Sequence, residues 1–117
     1  MNYFGFAISD SMFSQDCILR RKSLTIDEVK EYLTPDTNIC LNPSHSATIS
    51  AMKSRFGIDV EIPSSPPRVN LFVGDQLVVM SVRGLPRLTD RHEYTEDEIA
   101  SASFSFAFWE IVTAVVD

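Results

Sequence analysis

The sequence predicts a single α/β domain, residues 1–117, in which helices flank a central mixed β-sheet. Runs of β-branched and aromatic residues alternate with amphipathic stretches, the order expected when strands and helices share one core. Two T-x-x-E signatures mark the starts of helices. A chain of 117 residues also suits one domain, since domains cluster near about 100–150 residues.

Four stretches are typical of strands: Tyr3–Ile8, Cys17–Leu24, Gln76–Val82 and Phe104–Val116. The first and third are apolar on both alternating faces, which indicates strands covered on both sides, and we expect the third to be central. The second contains Arg20-Arg21-Lys22, which favours a place near the sheet edge. The aromatic residues of the last stretch are at strand spacing, which is more typical of core than of a stacking surface.

Three further stretches are predicted to be helices: residues 25–33, Ser44–Phe56 and Thr95–Ser103. The first and third begin with the capping-box pattern. The second has Ser44 or Ser46 as its N-cap and Gly57 as its C-terminal stop. Residues 34–44 are predicted to be loop, residues 62–67 a proline-rich connection, and Gly74-Asp75 a turn.

Composition excludes several classes of function. Ten basic and sixteen acidic residues give a net charge of −6. This charge disfavours the binding of long nucleic acid, but it allows the binding of a small anion by a few arginines. No apolar run approaches the ~20 residues that a membrane span needs, and the N-terminus lacks signal-peptide features. Cys17 and Cys40 have no metal or redox spacing. We therefore expect a reduced, cytoplasmic protein without a metal or cofactor.

His45 is the first candidate for chemistry, because it stands at the predicted start of a helix. A helix N-terminus presents unpaired N–H groups and partial positive charge, so it binds phosphate readily. A histidine beside it can deliver a proton to a leaving oxygen at neutral pH. The alternative is an exposed polar residue in a first helical turn.

The segment after the central strand is the second candidate. Arg83, Arg87 and Arg91 are four residues apart there, and Asp90 adds a carboxylate. Loops at strand ends often carry ligand sites in α/β folds, and arginines neutralise phosphates. The alternative is a solvated loop of mixed charge. Metal binding by Asp90, His92 and Glu93 has weak support, because no second His or Cys lies at metal-site spacing.

Several blocks spread over most of the chain carry a resemblance to one family. The blocks are Tyr3–Phe13, His45-Ser46-Ala47-Thr48, Arg68-Val69 with Gly74–Val79, and Pro86–Asp90 with Tyr94–Ile99. In order and spacing they resemble the viral ring nucleases, anti-CRISPR proteins that antagonise type III immunity. They correspond to that family's first strand and turn, its H-x-[S/A]-T helix start, its central hairpin, and its R-L-x-E loop and helix.

The resemblance implies a metal-independent phosphodiesterase that cleaves cyclic tetra-adenylate, the second messenger of type III CRISPR complexes. The family works as a homodimer whose two-fold axis matches the symmetry of the ring. A ribose 2′-hydroxyl attacks the adjacent phosphorus and leaves 2′,3′-cyclic phosphate ends. The nucleophile then belongs to the substrate, so that the protein supplies orientation and a proton.

The same resemblance assigns roles to individual residues. His45 matches the general acid, Arg87 the loop arginine that binds phosphate, and Asp90 stands where the family usually has glutamate. The remaining matches are contacts to substrate: Ser9, Thr48 and Arg68. Phe6 departs from the pattern, because relatives often have asparagine there.

Two other functions remain open from the sequence. One is a dimeric sponge that binds a cyclic oligonucleotide without cutting it, which the departures at Phe6 and Asp90 favour. The other is a structural or protein-interaction domain that uses the C-terminal aromatic strand as a partner edge.

Overall fold

A mixed sheet organises this computed structural model, which describes residues 1–41, 45–65, 67–89 and 91–114. In chain order the elements are β1 (Asn2–Gly5), a short 3-10 helix (Asp10–Met12), β2 (Cys17–Leu24), α1 (Ile26–Tyr32), β3 (Asn38–Ile39), α2 (Ser46–Phe56), β4 (Gln76–Arg83), α3 (Glu96–Ser101) and β5 (Ser103–Ala114). The predicted α/β class is confirmed, and the predicted strands and helices occur in the predicted order, with β3 as an additional strand.

The five strands are arranged in the order β2-β5-β4-β1-β3. β1 runs parallel to β3 and to β4, whereas β5 is antiparallel to β4 and to β2. The basic strand β2 is at one edge and β4 is in the middle, as predicted. β4 begins opposite Glu110, so the last part of β5, from Ile111, pairs with β2 alone.

The sheet is covered on both faces, but by different kinds of structure. Helices α1 and α2 pack on one face, where the largest fully buried side chains are Phe4, Leu41, Met52, Met80 and Val29. The other face is covered by the segment after β1 and by the segment before β4, around a cluster of Tyr3, Val69, Leu71, Leu77, Val79 and Ile111. Because β1 and β4 contribute to both clusters, their sequences are apolar on both alternating faces.

The helix ends follow the predicted capping chemistry, with one exception. Thr25 and Thr95 both form complete capping boxes, with Glu28 and Glu98 respectively. Gly57 ends α2 in the left-handed conformation, at φ 72°. The N-cap of α2 is His45, however, and not a serine. Ser46 is the first helical residue, and Ser44 lies outside the described residues.

Three other sequence predictions need correction. Residues 34–44 are not all loop, because Asn38–Ile39 form β3, a strand too short to show alternation and created by its pairing with β1. The first strand ends at Gly5 and not at Ile8, because the chain bends at Phe6. The third helix ends at Ser101, and Ser103 already belongs to β5.

The hairpin expected from Arg68 through Val79 is absent from the part of the chain that the structure describes. Before β4 the chain makes an isolated parallel bridge between Leu71 and Phe13. The reason is that β1 and β5 already occupy both edges of β4. Across the described residues, no helix has the length and apolar content needed to cross a membrane.

Candidate functional site

The carboxyl ends of the three parallel strands, β1, β3 and β4, lie together at one end of the sheet. This carboxyl edge is distinct from the lateral edges, which are formed by strands β2 and β3. β1 lies between β3 and β4, so the segments that follow these strands leave the sheet on the same side. Those segments contain Ser9 after β1, His45 after β3 and Arg87 after β4. In open α/β sheets, ligands bind in the crevice outside the carboxyl ends of the strands. The topology therefore places His45 and Arg87 in segments at this edge. Ser9 instead lines a cleft with Cys17 and Trp109, and Trp109 lies opposite Leu77, near the start of β4.

His45 is half-buried and sits against an aromatic ring. Its backbone, at φ −91° and ψ 3°, forms the N-cap of α2, and its side chain makes no capping hydrogen bond. The ring of Phe6 meets the imidazole edge-to-face, with 4.9 Å between centroids and 76° between planes. Phe6 in turn packs against the core beneath the helices. This contact fixes where the imidazole lies relative to the start of α2.

The first turn of α2 is electrostatically different from the first turns of the other two helices. α1 and α3 carry acidic residues there, which offset the partial positive charge of a helix N-terminus. The first turn of α2 carries none. Thr48 lies in this turn and is half-buried. The start of this 11-residue helix is thus suited to an anion.

Ser9 is exposed at the start of the short 3-10 helix. Its carbonyl accepts a hydrogen bond from the Met12 amide at 3.1 Å, and its Oγ lies 3.0 Å from the Ser11 Oγ. The first bond anchors the backbone of Ser9, and the second holds two hydroxyl groups together at the surface. Such a pair offers donors and acceptors to a ligand.

The arginines after β4 differ in what they contact. Arg87 is exposed, and no ion pair joins it to another described residue. Arg91 donates to both carboxylate oxygens of Glu98, at 2.6 and 2.5 Å. This bidentate pair and the Thr95 amide lower the pKa of Glu98 to about 2. Arg91 therefore holds the loop against α3. Because Arg91 is already paired, Arg87 is the better candidate to bind an anionic ligand.

The other predicted residues are less directly related to this edge. Arg68 is exposed in the irregular segment that leads to β4, and not in a segment that follows a parallel strand. Asp90, the second predicted catalytic residue, lies outside the described residues. Among the described residues, no group of three His, Cys, Asp or Glu side chains is placed to hold a metal ion.

Arg55, near the end of α2, has a structural role that the sequence pattern did not indicate. Its guanidinium donates to the carbonyl of Ile99 at 2.9 Å and to that of Ala102. It also lies 5.3 and 5.4 Å from the ring centroids of Phe56 and Phe104. Arg55 thus holds the end of α2 against α3 and the start of β5. The available sequence signal was the pair Arg55-Phe56, a cation directly before an aromatic residue. Such pairs are too common to indicate a structural role for the arginine.

Fold and site together define a small α/β protein with a mixed sheet and a phosphate-compatible edge. No family model matches the chain, and no curated protein matches it either. A solved structure with the same fold is B116 of Sulfolobus turreted icosahedral virus, at a TM-score of 0.65 and 16% sequence identity. The match covers 93% of this chain and 97% of that chain. At this identity the similarity demonstrates a common fold.

Proposed function

We propose that this protein is a metal-independent ring nuclease that cleaves cyclic tetra-adenylate. The observation that carries the proposal is His45 at the acid-free start of α2, on the edge where β1, β3 and β4 end. This position combines a phosphate-binding helix start with a side chain that can donate a proton near neutral pH. The resemblance of the sequence blocks to viral ring nucleases supplies the substrate.

In the proposed mechanism the protein orients the substrate and protonates the leaving group. The amides at the start of α2 and the guanidinium of Arg87 hold the phosphate and offset the charge that develops on it. A ribose 2′-hydroxyl attacks the phosphorus and releases its proton to water, and the bond to the 5′-oxygen breaks. His45 gives its proton to that oxygen and is reprotonated from solvent. The products are linear adenylates with 2′,3′-cyclic phosphate ends. Ser9, Thr48 and Arg68 contact the ring, and Asp90 is the second catalytic residue, a carboxylate that orients a hydroxyl or an arginine.

The protein has a net charge of −6, and the proposed ring carries four negative phosphates. The arginines of two subunits must therefore converge on the ring to offset its charge. We therefore propose a homodimer, with one Arg87 from each subunit near the ring. The fold shared with a viral protein supports a viral origin, and the proposed site of action is the cytoplasm of the infected cell, where the ring would otherwise activate defence effectors.

The test is incubation of the purified protein with cyclic tetra-adenylate in EDTA, followed by chromatography and mass analysis of the products. His45→Ala is expected to reduce cleavage by about 10²–10⁴-fold, the usual contribution of a general acid, while binding largely survives. His92→Ala is the matched control, because His92 is exposed and has no role in the proposal. Equal turnover by the His45 variant would remove this residue from the mechanism.

A dimeric sponge is the second candidate, and the Phe6–His45 contact favours it. Phe6 places an apolar ring 4.9 Å from the imidazole centroid, where relatives often have a polar asparagine. An apolar neighbour cannot hydrogen-bond to the ligand or to the imidazole. A sponge predicts that intact ring is recovered from a stoichiometric complex. Phe6→Asn would then be expected to gain cleavage activity.

A further inference from the structure

The amino end of the parallel strands carries a cleft of its own, away from His45 and Arg87. The cleft lies on the sheet face opposite the helices, beside the short 3-10 helix, and its volume is about 420 Å³. Trp109 lines it, and the strand register places Trp109 opposite Leu77, near the start of β4. This amino-end cleft is therefore separate from the carboxyl edge.

The lining of the amino-end cleft combines aromatic surface with negative charge. Phe13 and Trp109 are half-buried and pack against the apolar cluster on this face. Asp10 and Asp16 are exposed and line the same cleft, and no basic side chain lines it in the described part of the chain. Aromatic rings attract cations, and carboxylates bind a guanidinium through paired hydrogen bonds. The cleft is therefore complementary to a cation and not to a phosphate.

A guanidinium already lies against this indole. Arg21 is opposite Trp109 in the register of β2 and β5, and its Cζ is 5.9 Å from the centroid of the ring. Cys17 and Leu19, the residues of β2 that line the cleft, are nearer to the start of that strand. Because Arg21 itself does not line the cleft, the cleft has room for a second cation.

An exposed apolar turn lies next to the cleft. Leu71 makes the bridge to Phe13, and the two residues that follow, Phe72 and Val73, are 49% and 59% exposed. The Asp75 carboxylate accepts a hydrogen bond from the Phe72 amide at 3.0 Å, and the Asp75 amide donates to the Phe72 carbonyl at 3.0 Å. These bonds fix the backbone of the turn and so keep its apolar side chains at the surface. Apolar surface rimmed by polar groups is typical of protein interaction sites.

We propose that the amino end of the sheet binds a partner protein through an arginine side chain that enters the cleft. The guanidinium lies against Trp109 and pairs with Asp10 or Asp16. Apolar residues beside that arginine pack on Phe72 and Val73. Arginine is favoured over lysine, because its planar guanidinium stacks on aromatic rings and binds carboxylates through two hydrogen bonds. A volume of 420 Å³ is near the lower end of the ~300–1,000 Å³ of ligand sites, which suits a single side chain.

Charge favours a partner protein over a second copy of this chain. The chain has a net charge of −6. A symmetric contact between two copies at this end would use the same patch on both, and would place Asp10 and Asp16 of one copy beside the same carboxylates of the other. Like charges at short range repel, whereas a basic segment of another protein is attracted.

The first test uses the fluorescence of Trp109, the single tryptophan of the chain. The probe is the blocked tripeptide leucine-arginine-leucine, and its control has citrulline, which matches the shape of arginine without its charge. We expect a saturable response to the arginine peptide and an affinity about tenfold lower, or weaker still, for the citrulline peptide, because charge-assisted hydrogen bonds are lost. Equal affinities, or no saturable response to the arginine peptide, would overturn the proposal.

Variants at exposed positions separate the two parts of the site. Asp10→Asn with Asp16→Asn should lower the affinity for the arginine peptide to that for the citrulline peptide, whereas Asp27→Asn on α1 should leave it unchanged. Phe72→Ser should weaken binding of the tripeptide several-fold and leave binding of blocked arginine amide unchanged, because only the tripeptide reaches the turn. All four residues are exposed, so these changes should leave the fold intact. A preference for arginine that survives in the double variant would contradict the role assigned to the carboxylates.

A measurement on the unaltered protein uses the two free cysteines, Cys17 in the cleft and Cys40 outside it. The arginine peptide should slow alkylation of Cys17 several-fold and leave the rate at Cys40 unchanged. Equal protection of both thiols, or no protection at saturating peptide, would overturn the proposal. Self-association of the protein that Phe72→Ser abolishes would also overturn it, since this end would then join two copies. None of these tests uses cyclic tetra-adenylate, so their results do not depend on the proposed nuclease.

Discussion

At the scale of single residues, local environment distinguishes the two histidines of this chain and sets the reactivity of Cys40. His45 is half-buried against Phe6, whereas His92 is exposed. Cys40 packs beside β1, where its amide donates to the carbonyl of Phe4 at 2.8 Å. Desolvation at this position raises the pKa of the Cys40 thiol to about 11. A thiol with so high a pKa is unreactive at neutral pH, because the thiolate is the nucleophile.

The Cys40 thiol is therefore expected to react slowly with iodoacetamide while the protein is folded. At pH 8 a pKa near 11, against an ordinary value near 9, lowers the thiolate fraction about 100-fold. The measurement is the rate of alkylation of the Cys17→Ser variant, native and in urea, followed by mass. Similar rates in both conditions would show that Cys40 is not desolvated in the folded protein.

At the scale of elements, α3 depends on a small charged network more than on a core. None of its residues from Glu96 to Ser101 is buried, and its first turn is held by the Thr95–Glu98 capping box. Arg91 pairs with the same Glu98 and so ties the preceding loop to the helix. A six-residue helix is too short to be stable by itself, so these contacts decide whether it forms.

This network predicts a stability change in acid. The folded pKa of Glu98 is lowered to about 2 by Arg91 and the Thr95 amide, so its stabilising effect is complete above about pH 4.5 and is lost as pH falls toward 2. Glu98→Gln should therefore lower the thermal midpoint at pH 7 and have progressively less effect as pH falls to 2. The measurement is a set of melting curves across this range.

Glu31→Gln is the control for that series, because Glu31 is exposed on α1 and contacts no cation in the described residues. A Glu98→Gln effect that stays constant from pH 7 to pH 2 would contradict the role of the charged network.

At the scale of the whole molecule, one sheet separates two cores and extends beyond them. The radius of gyration is 15.1 Å, against about 13 Å for a compact domain of this length. The long dimension, 51 Å against 28 and 25 Å, reflects strands that continue past the core. Val112, in the part of β5 that pairs with β2 alone, is 55% exposed.

Substitutions at two positions of β4 that face opposite sides of the sheet test the two-sided core. Leu77 and Met80 are 0% and 1% exposed and belong to the clusters on opposite faces. Leu77→Ala and Met80→Ala should each lower the free energy of unfolding by about 2–5 kcal/mol, because each leaves a cavity. Val112→Ala should change it by less than about 0.5 kcal/mol. Urea unfolding measures all three, and a small effect at Leu77 or Met80 would mean that its face is not a core.

The sequence by itself determined the elements that depend on local chemistry. Capping boxes at Thr25 and Thr95 and the left-handed Gly57 fix helix ends through bonds and dihedral angles within a few residues, so their positions were predictable. The two-sided apolar pattern of Gln76–Val82 likewise indicated the central strand, because burial on both faces requires it. His45 and Arg87 were identified as candidates from residue type and neighbouring motifs.

Tertiary structure alone decided everything that depends on partners distant in the chain. The two residues of β3 form a strand because β1 offers them an edge, and the expected hairpin around Arg68 is absent because β1 and β5 occupy both edges of β4. The Phe6–His45 contact and the cleft at Trp109 join segments that are far apart in sequence. No local pattern records such contacts, since they arise only when the sheet brings the segments together.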